Sequence, residues 1–196
     1  MSLAFTLASF NLSLLVLAGI ARMRSADVAL GRPSAVILTA SAVVAIIWAD
    51  HRGVTISITA APTLACVVVC AASDLATGLI FDQVVAATTI AIVLAALVTR
   101  DVPSVATGAG SCAGLMFVLH SLTKGRGIGL GDVKLSAVIG AGLGGVAAVG
   151  ALGAAFVAGA LFVIPLLMAK RARCDDRLAF APFLAAGTIA CAALGS

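Results

Sequence analysis

Glutamate and tyrosine are absent from the 196 residues, and tryptophan occurs once. All eight acidic residues are aspartates: Asp27, Asp50, Asp74, Asp82, Asp101, Asp132, Asp175 and Asp176. Charged residues make up only 10% of the chain and apolar ones 62%, whereas a soluble domain carries about 25% and about 45–50%. With a mean hydropathy of +1.23, a water-soluble globule is excluded. The five cysteines (Cys66, Cys70, Cys112, Cys174 and Cys191) form no C-x-x-C pair, which excludes a tetrathiolate zinc site built from paired knuckles. They read as small buried hydrophobes. The lack of tyrosine leaves a thin aromatic belt at the membrane surfaces. No basic segment precedes the first apolar stretch and no clear small-residue cleavage site follows it, so a retained first helix is expected rather than a signal peptide.

What is present is apolar sequence in long runs. They fall at 3–20, 34–49, 54–73, 83–99, 104–122, 133–149, 151–169 and 178–195. A bilayer core takes ~20 helical residues per crossing, so eight crossings use ~160 residues and leave about 36 for connections. The expected fold is an all-α polytopic membrane protein of about eight transmembrane helices. Residues 1–53 would form two N-terminal helices with a short cytoplasmic loop, and 54–196 a six-helix core in one integrated domain. The breaks carry glycine, proline or charge; the one near Gly150 has no polar residue.

Charge sets the expected orientation. Alternate connections hold Arg22, Arg24 and Arg32, then Lys124, Arg126 and nearby Lys134, then Lys170, Arg171, Arg173 and Arg177. The opposite ones hold only Arg52 and Arg100. By the positive-inside rule the basic side is cytoplasmic and both termini lie outside.

Ionisable groups at membrane depth are costly and mark function by default. Asp74 closes the third run and Asp132 opens the sixth, on the same expected face. Asp82 opens the fourth. Asp132 and Asp82 each have a plain alternative as helix N-caps. Asp74 does not, because a carboxylate at a helix C-terminus opposes the dipole by roughly 0.3–1 kcal/mol. Two convergent carboxylates can share a proton, one activating water while the other protonates a carbonyl. On the dipole argument Asp132, near Lys134, is the ionised member and Asp74 holds the proton. His51 and His120 read as incidental.

Three segments add a specific likeness. Gly127-Ile-Gly-Leu-Gly-Asp-Val-Lys-Leu135 resembles the G-x-G-D-V-K-L signature of the prepilin peptidases, membrane aspartyl proteases of the GxGD type (family A24). Ser73 to Asp82 resembles the first motif of that family, an Asp-Leu with a second Asp or Asn eight residues after the first. Phe180-Ala-Pro-Phe-Leu-Ala-Ala-Gly187 is similar to its F-G-P-F-L-x-x-G element. Phe81 departs from the usual proline before the second Asp.

The resemblance implies Asp74 and Asp132 as the catalytic pair, with Gly129, Gly131, Lys134, Asp82 and Pro182 in support. It implies cleavage of pilin or pseudopilin precursors after a glycine, just before an apolar helix, at the cytoplasmic face of the bacterial inner membrane. The long bacterial forms carry two C-x-x-C pairs in a cytoplasmic insert linked to N-methylation. Here that loop is only Ala21–Pro33 and lacks cysteine. A short, peptidase-only form like those serving Flp/Tad-type pili is therefore expected, without methyltransferase activity, metal or cofactor. The expected partners are the leader peptide with its adjacent apolar helix and the lipid bilayer; no nucleic acid is expected. The rival readings are a transporter or channel, and a non-catalytic pilus-assembly protein whose aspartates pair with Lys134 or Arg126. Finally, Gly110 with Gly114 and Gly140 with Gly144 are spaced as close-packing pairs on helix faces.

Overall fold

The computed structural model describes residues 57–125, 127–169 and 179–194, together with residues 10, 11, 13, 14, 39, 40, 42–44, 46, 47 and 50. The Ala21–Pro33 and Lys170–Arg177 connections, Arg126, His51 and Cys174 lie outside these. The described residues form helix and connecting turns, without a strand. Six helices have defined bounds: α1 Ala60–Thr77, α2 Asp82–Thr99, α3 Val102–Leu122, α4 Leu130–Leu143, α5 Gly145–Met168 and α6 Ala181–Leu194.

Four of them, α1, α2, α3 and α5, are long and apolar enough to cross a membrane. Their burial sorts them into two classes. α1 is 83% buried although its hydropathy lies within the range of the other three, whereas α3 is only 17% buried. α1 is thus the axis of the bundle, in contact with α2, α4 and α6, while α3 lies against α4 and α5 lies against α6. The outer helices turn Ile90, Leu94, Val98, Phe117, Val118, Leu161 and Phe162 outward. An apolar surface of that extent on helices long enough to cross a bilayer suits contact with lipid. The protein is a membrane protein by composition and by this pattern.

Small residues and buried hydroxyls let the inner helices approach. Gly108 of α3 and Gly140 of α4 meet backbone to backbone, and a Cβ on either would run into the carbonyl of the other. Gly187 of α6 lies in the same way on the Ala151 carbonyl of α5, and Gly142 lies under Thr63. The Thr59 hydroxyl donates to the Gly142 carbonyl at 2.8 Å, pinning the start of α1 to the end of α4. Lipid offers no hydrophobic drive for such contacts, so close packing and these hydrogen bonds hold the bundle.

Two expectations need correction. The interruption between the sixth and seventh runs is at Gly144, not Gly150, which lies inside α5. Gly144 has φ +84°, a conformation few other residues adopt, and this lets the chain leave α4 and enter α5 without a polar loop. Its backbone also lies against α3, 3.3 Å from where a Cβ on Gly108 would stand, so Gly144 serves the same contact as Gly140 as well as the turn. Gly110 and Gly114 face open space; the close contact belongs to Gly108. Spacing shows that glycines share a face, but not which face meets a neighbour.

Gly140→Ala should therefore force α3 and α4 apart at a cost of about 1–3 kcal/mol. Gly110→Ala should be neutral or stabilising by about 0.5–1 kcal/mol. Thermal unfolding of the detergent-solubilised protein separates the two, and equal melting of both variants would contradict this packing.

Candidate active site

Asp74 occupies the last turn of the buried helix. α1 ends because Gly78 adopts the left-handed conformation (φ 66°, ψ 20°) and its N–H returns to the Asp74 carbonyl at 2.8 Å. The buried Ser73 hydroxyl lies 2.9 Å from the Cys70 carbonyl and 3.0 Å from that of Leu79, tying the outgoing turn to the helix end. The Asp74 side chain reaches a different element: its Oδ2 accepts the backbone N–H of Ala181, first residue of α6, at 3.1 Å.

Asp132 is the third residue of α4. Gly129 caps this helix with extended backbone (φ −77°, ψ 158°), and Asp132 Oδ2 accepts the Gly129 N–H at 3.0 Å. The Asp132 residue is buried, 9% exposed. Gly131 brings the two motif segments together, since a Cβ there would stand 3.2 Å from Cβ of Ile80 in the α1–α2 turn.

Both carboxylates open onto one cavity of about 1220 Å³. Its wall is formed by Thr77 to Ile80 and Asp82 on one side, alternate glycines Gly125, Gly127, Gly129 and Gly131 on another, and Ala179 with Phe180 on a third. Glycine-rich lining leaves main-chain groups accessible beside the two carboxylates. Among the described residues, no cluster of three or more His, Cys, Asp or Glu side chains could hold a metal.

The supporting residues fall into distinct places. Lys134 donates to Asp82 at 2.8 Å, joining α4 to the start of α2 at an exposed edge (side chains 51% and 71% exposed). Asp82 is thus not the N-cap of α2; Phe81 holds that position, and its carbonyl accepts the Val84 and Val85 N–H groups. The φ of Phe81 is −79°, within proline's range, so the backbone at this position is one that proline would also adopt. Pro182 is the second residue of α6, where its missing N–H costs nothing.

The dipoles that act on the two acids are not only those of their own helices. Asp74 stands near the negative end of α1, but it accepts an orphan amide at the positive end of α6. Each carboxylate therefore faces a helix start, and the Lys134 ammonium is engaged by Asp82. Ala181 was not legible, because a main-chain donor carries no residue signature. His120, which reads as incidental in the sequence, has its Nδ1 2.6 Å from the Ile128 carbonyl in the glycine-rich loop.

The glycines of this loop should differ in tolerance. A Cβ on Gly129 would meet nothing closer than 3.5 Å, whereas one on Gly131 is crowded by Ile80. Gly131→Ala should cost about 1–3 kcal/mol, and Gly129→Ala less than about 1 kcal/mol. Unfolding midpoints measured side by side check this; the reverse order would contradict the packing of Ile80 on α4.

No curated protein and no solved structure matches the chain. A family model described as the type IV leader peptidase family matches residues 61–164, more than half of the sequence. The matched segment includes Asp74, Asp82, Gly129, Gly131, Asp132 and Lys134, and ends before α6. The chain belongs to the type IV leader peptidase family and is, by that membership and its helices, a membrane-embedded peptidase.

Proposed function

We propose that the protein is an aspartic endopeptidase that removes the leader from type IV pilin-like or pseudopilin precursors, with Asp74 and Asp132 as the catalytic pair. The observation that carries this is the placement of both carboxylates on one cavity, each held by a main-chain N–H. A volume of about 1220 Å³ exceeds the ~300–1,000 Å³ typical of small-molecule pockets and suits a peptide segment. In the proposed reaction the pair shares one proton and holds a water. The ionised carboxylate takes a proton as the water oxygen attacks the scissile carbonyl carbon, while the protonated one gives its proton to the carbonyl oxygen. Collapse of the tetrahedral species breaks the C–N bond, with a proton passing to the leaving amine. The proton belongs to the pair rather than to one residue.

The wider setting is part of the same proposal. Eight crossings, two before residue 54 and six after it, would leave both termini outside. The site then lies at the cytoplasmic face of the bacterial inner membrane, where a precursor presents the glycine before its apolar helix. A transport path would favour ionisable groups near mid-depth. Between residues 57 and 169 the aspartates instead sit at or beside helix ends: Asp74, Asp82, Asp101 and Asp132.

Co-expression with a candidate precursor, read by mass spectrometry, tests the activity. Asp74→Ala and Asp132→Ala should each lower cleavage ~10²-fold or more while folded protein is retained. Asp82→Asn should cost little, since an exposed ion pair contributes about 0–1 kcal/mol. Processing at the wild-type rate in either alanine variant would refute the dyad. The purified protein with a methyl donor should leave the new N-terminus unmethylated; a product heavier by one methyl group would refute that part.

A further inference from the structure

The loop from α3 to α4 is fastened to His120 at two points. The His120 carbonyl accepts the Gly125 N–H at 2.9 Å, closing the turn after α3. Its side chain then reaches across the loop to the Ile128 carbonyl at 2.6 Å. A carbonyl oxygen only accepts, so Nδ1 carries the hydrogen and donates it. The ring is held in place on two sides. Phe117 stacks on it at 6.3 Å between centroids, and a Cβ on Gly125 would come within 3.1 Å of Cε1.

The bonded carbonyl belongs to the same peptide unit as the Gly129 N–H, and that N–H is the donor to Asp132 Oδ2 at 3.0 Å. A trans peptide is planar, with C=O and N–H pointing in opposite directions. Fixing the carbonyl therefore fixes the N–H. If this peptide plane turned over, its oxygen would face the carboxylate and the Asp132 hydrogen bond would be lost. Polarisation through the amide also strengthens the second bond when the first is made.

Building on the Asp74–Asp132 peptidase proposed above, we propose that His120 is a positioning residue: by clamping the Ile128–Gly129 peptide unit it sets the orientation of the Asp132 carboxylate. His120 touches neither the substrate nor the reacting atoms. Its effect falls on the catalytic step rather than on binding, because a small misplacement of a reacting group costs rate steeply.

The test compares three variants of the full chain in detergent, with an internally quenched peptide that carries a glycine before an apolar segment. His120→Asn keeps a donor at the Nδ1 position. His120→Gln moves it one atom further, and His120→Leu removes it. Leucine and glutamine should lower kcat about tenfold or more with KM within about twofold, and asparagine should stay within about threefold of wild type. A second readout does not depend on catalysis. Labelling isoleucine with ¹³C at the carbonyl and glycine with ¹⁵N marks only the two Ile-Gly pairs of the chain, Ile128–Gly129 and Ile139–Gly140. The first cross-peak should move in the leucine and glutamine variants and return in asparagine, while the second, within α4, stays. Wild-type kcat with an unmoved first cross-peak in His120→Leu would overturn the proposal, as would equal losses with asparagine and glutamine. If leucine prevents folding, the asparagine–glutamine contrast decides alone. Asp132→Asn run in parallel separates the two claims: activity there sinks the dyad, and the Gly129 cross-peak then decides the clamp by itself.

Discussion

A carboxylate carried into an apolar bundle must find donors there, because water is no longer free to supply them. Here each of two carboxylates finds a main-chain N–H at the start of a helix: Gly129 for Asp132 and Ala181 for Asp74. The orphan amides of a helix start are the least costly donors available, since they need partners in any case. No buried side-chain nitrogen or oxygen among the described residues lacks a hydrogen-bond partner. The rest of the site depends on that provision. It requires the end of α1, the start of α4 and the start of α6 to meet at one end of the bundle.

Such a meeting is possible because the helices approach closely. At Gly108 on Gly140 and at Gly187 on Ala151 the backbones touch where any side chain would hold them apart. Gly144 then turns the chain from α4 into α5 without a polar connection in lipid. The α1–α2 turn packs Ile80 onto Gly131, so the two acidic segments, far apart in sequence, share one wall of the cavity. Packing along the helices and the site at one end of the bundle are thus one construction, with the glycines supplying approach and the helix starts supplying donors.

Much of this was legible beforehand. The runs at 83–99 and 104–122 anticipate α2 and α3 to within two residues, because charge and proline mark their ends. The convergence of Asp74 and Asp132 was readable because a carboxylate at a helix C-terminus has no local justification. What stayed hidden lacked residue-level signals. The α4–α5 hinge sits in glycine and alanine sequence with no polar residue to mark it, so a break is readable there but its place, Gly144 rather than Gly150, is not. The packing face of α3 cannot be read from spacing, since several glycines compete for it. The Ala181 amide and the bond from His120 to a carbonyl eight residues away are tertiary, and side-chain identity does not encode them.

The convergence of the two acids across the cavity is the claim on which the rest stands. Its most direct measurement is chemical cross-linking of an Asp74→Cys, Asp132→Cys double variant in a chain whose five native cysteines have been replaced. A short bifunctional thiol reagent should join the two positions in the membrane and make residues 74 to 132 a closed loop detectable by proteolysis and mass spectrometry. Both thiols labelled singly, with no cross-link at any reagent length that fits the cavity, would contradict the account.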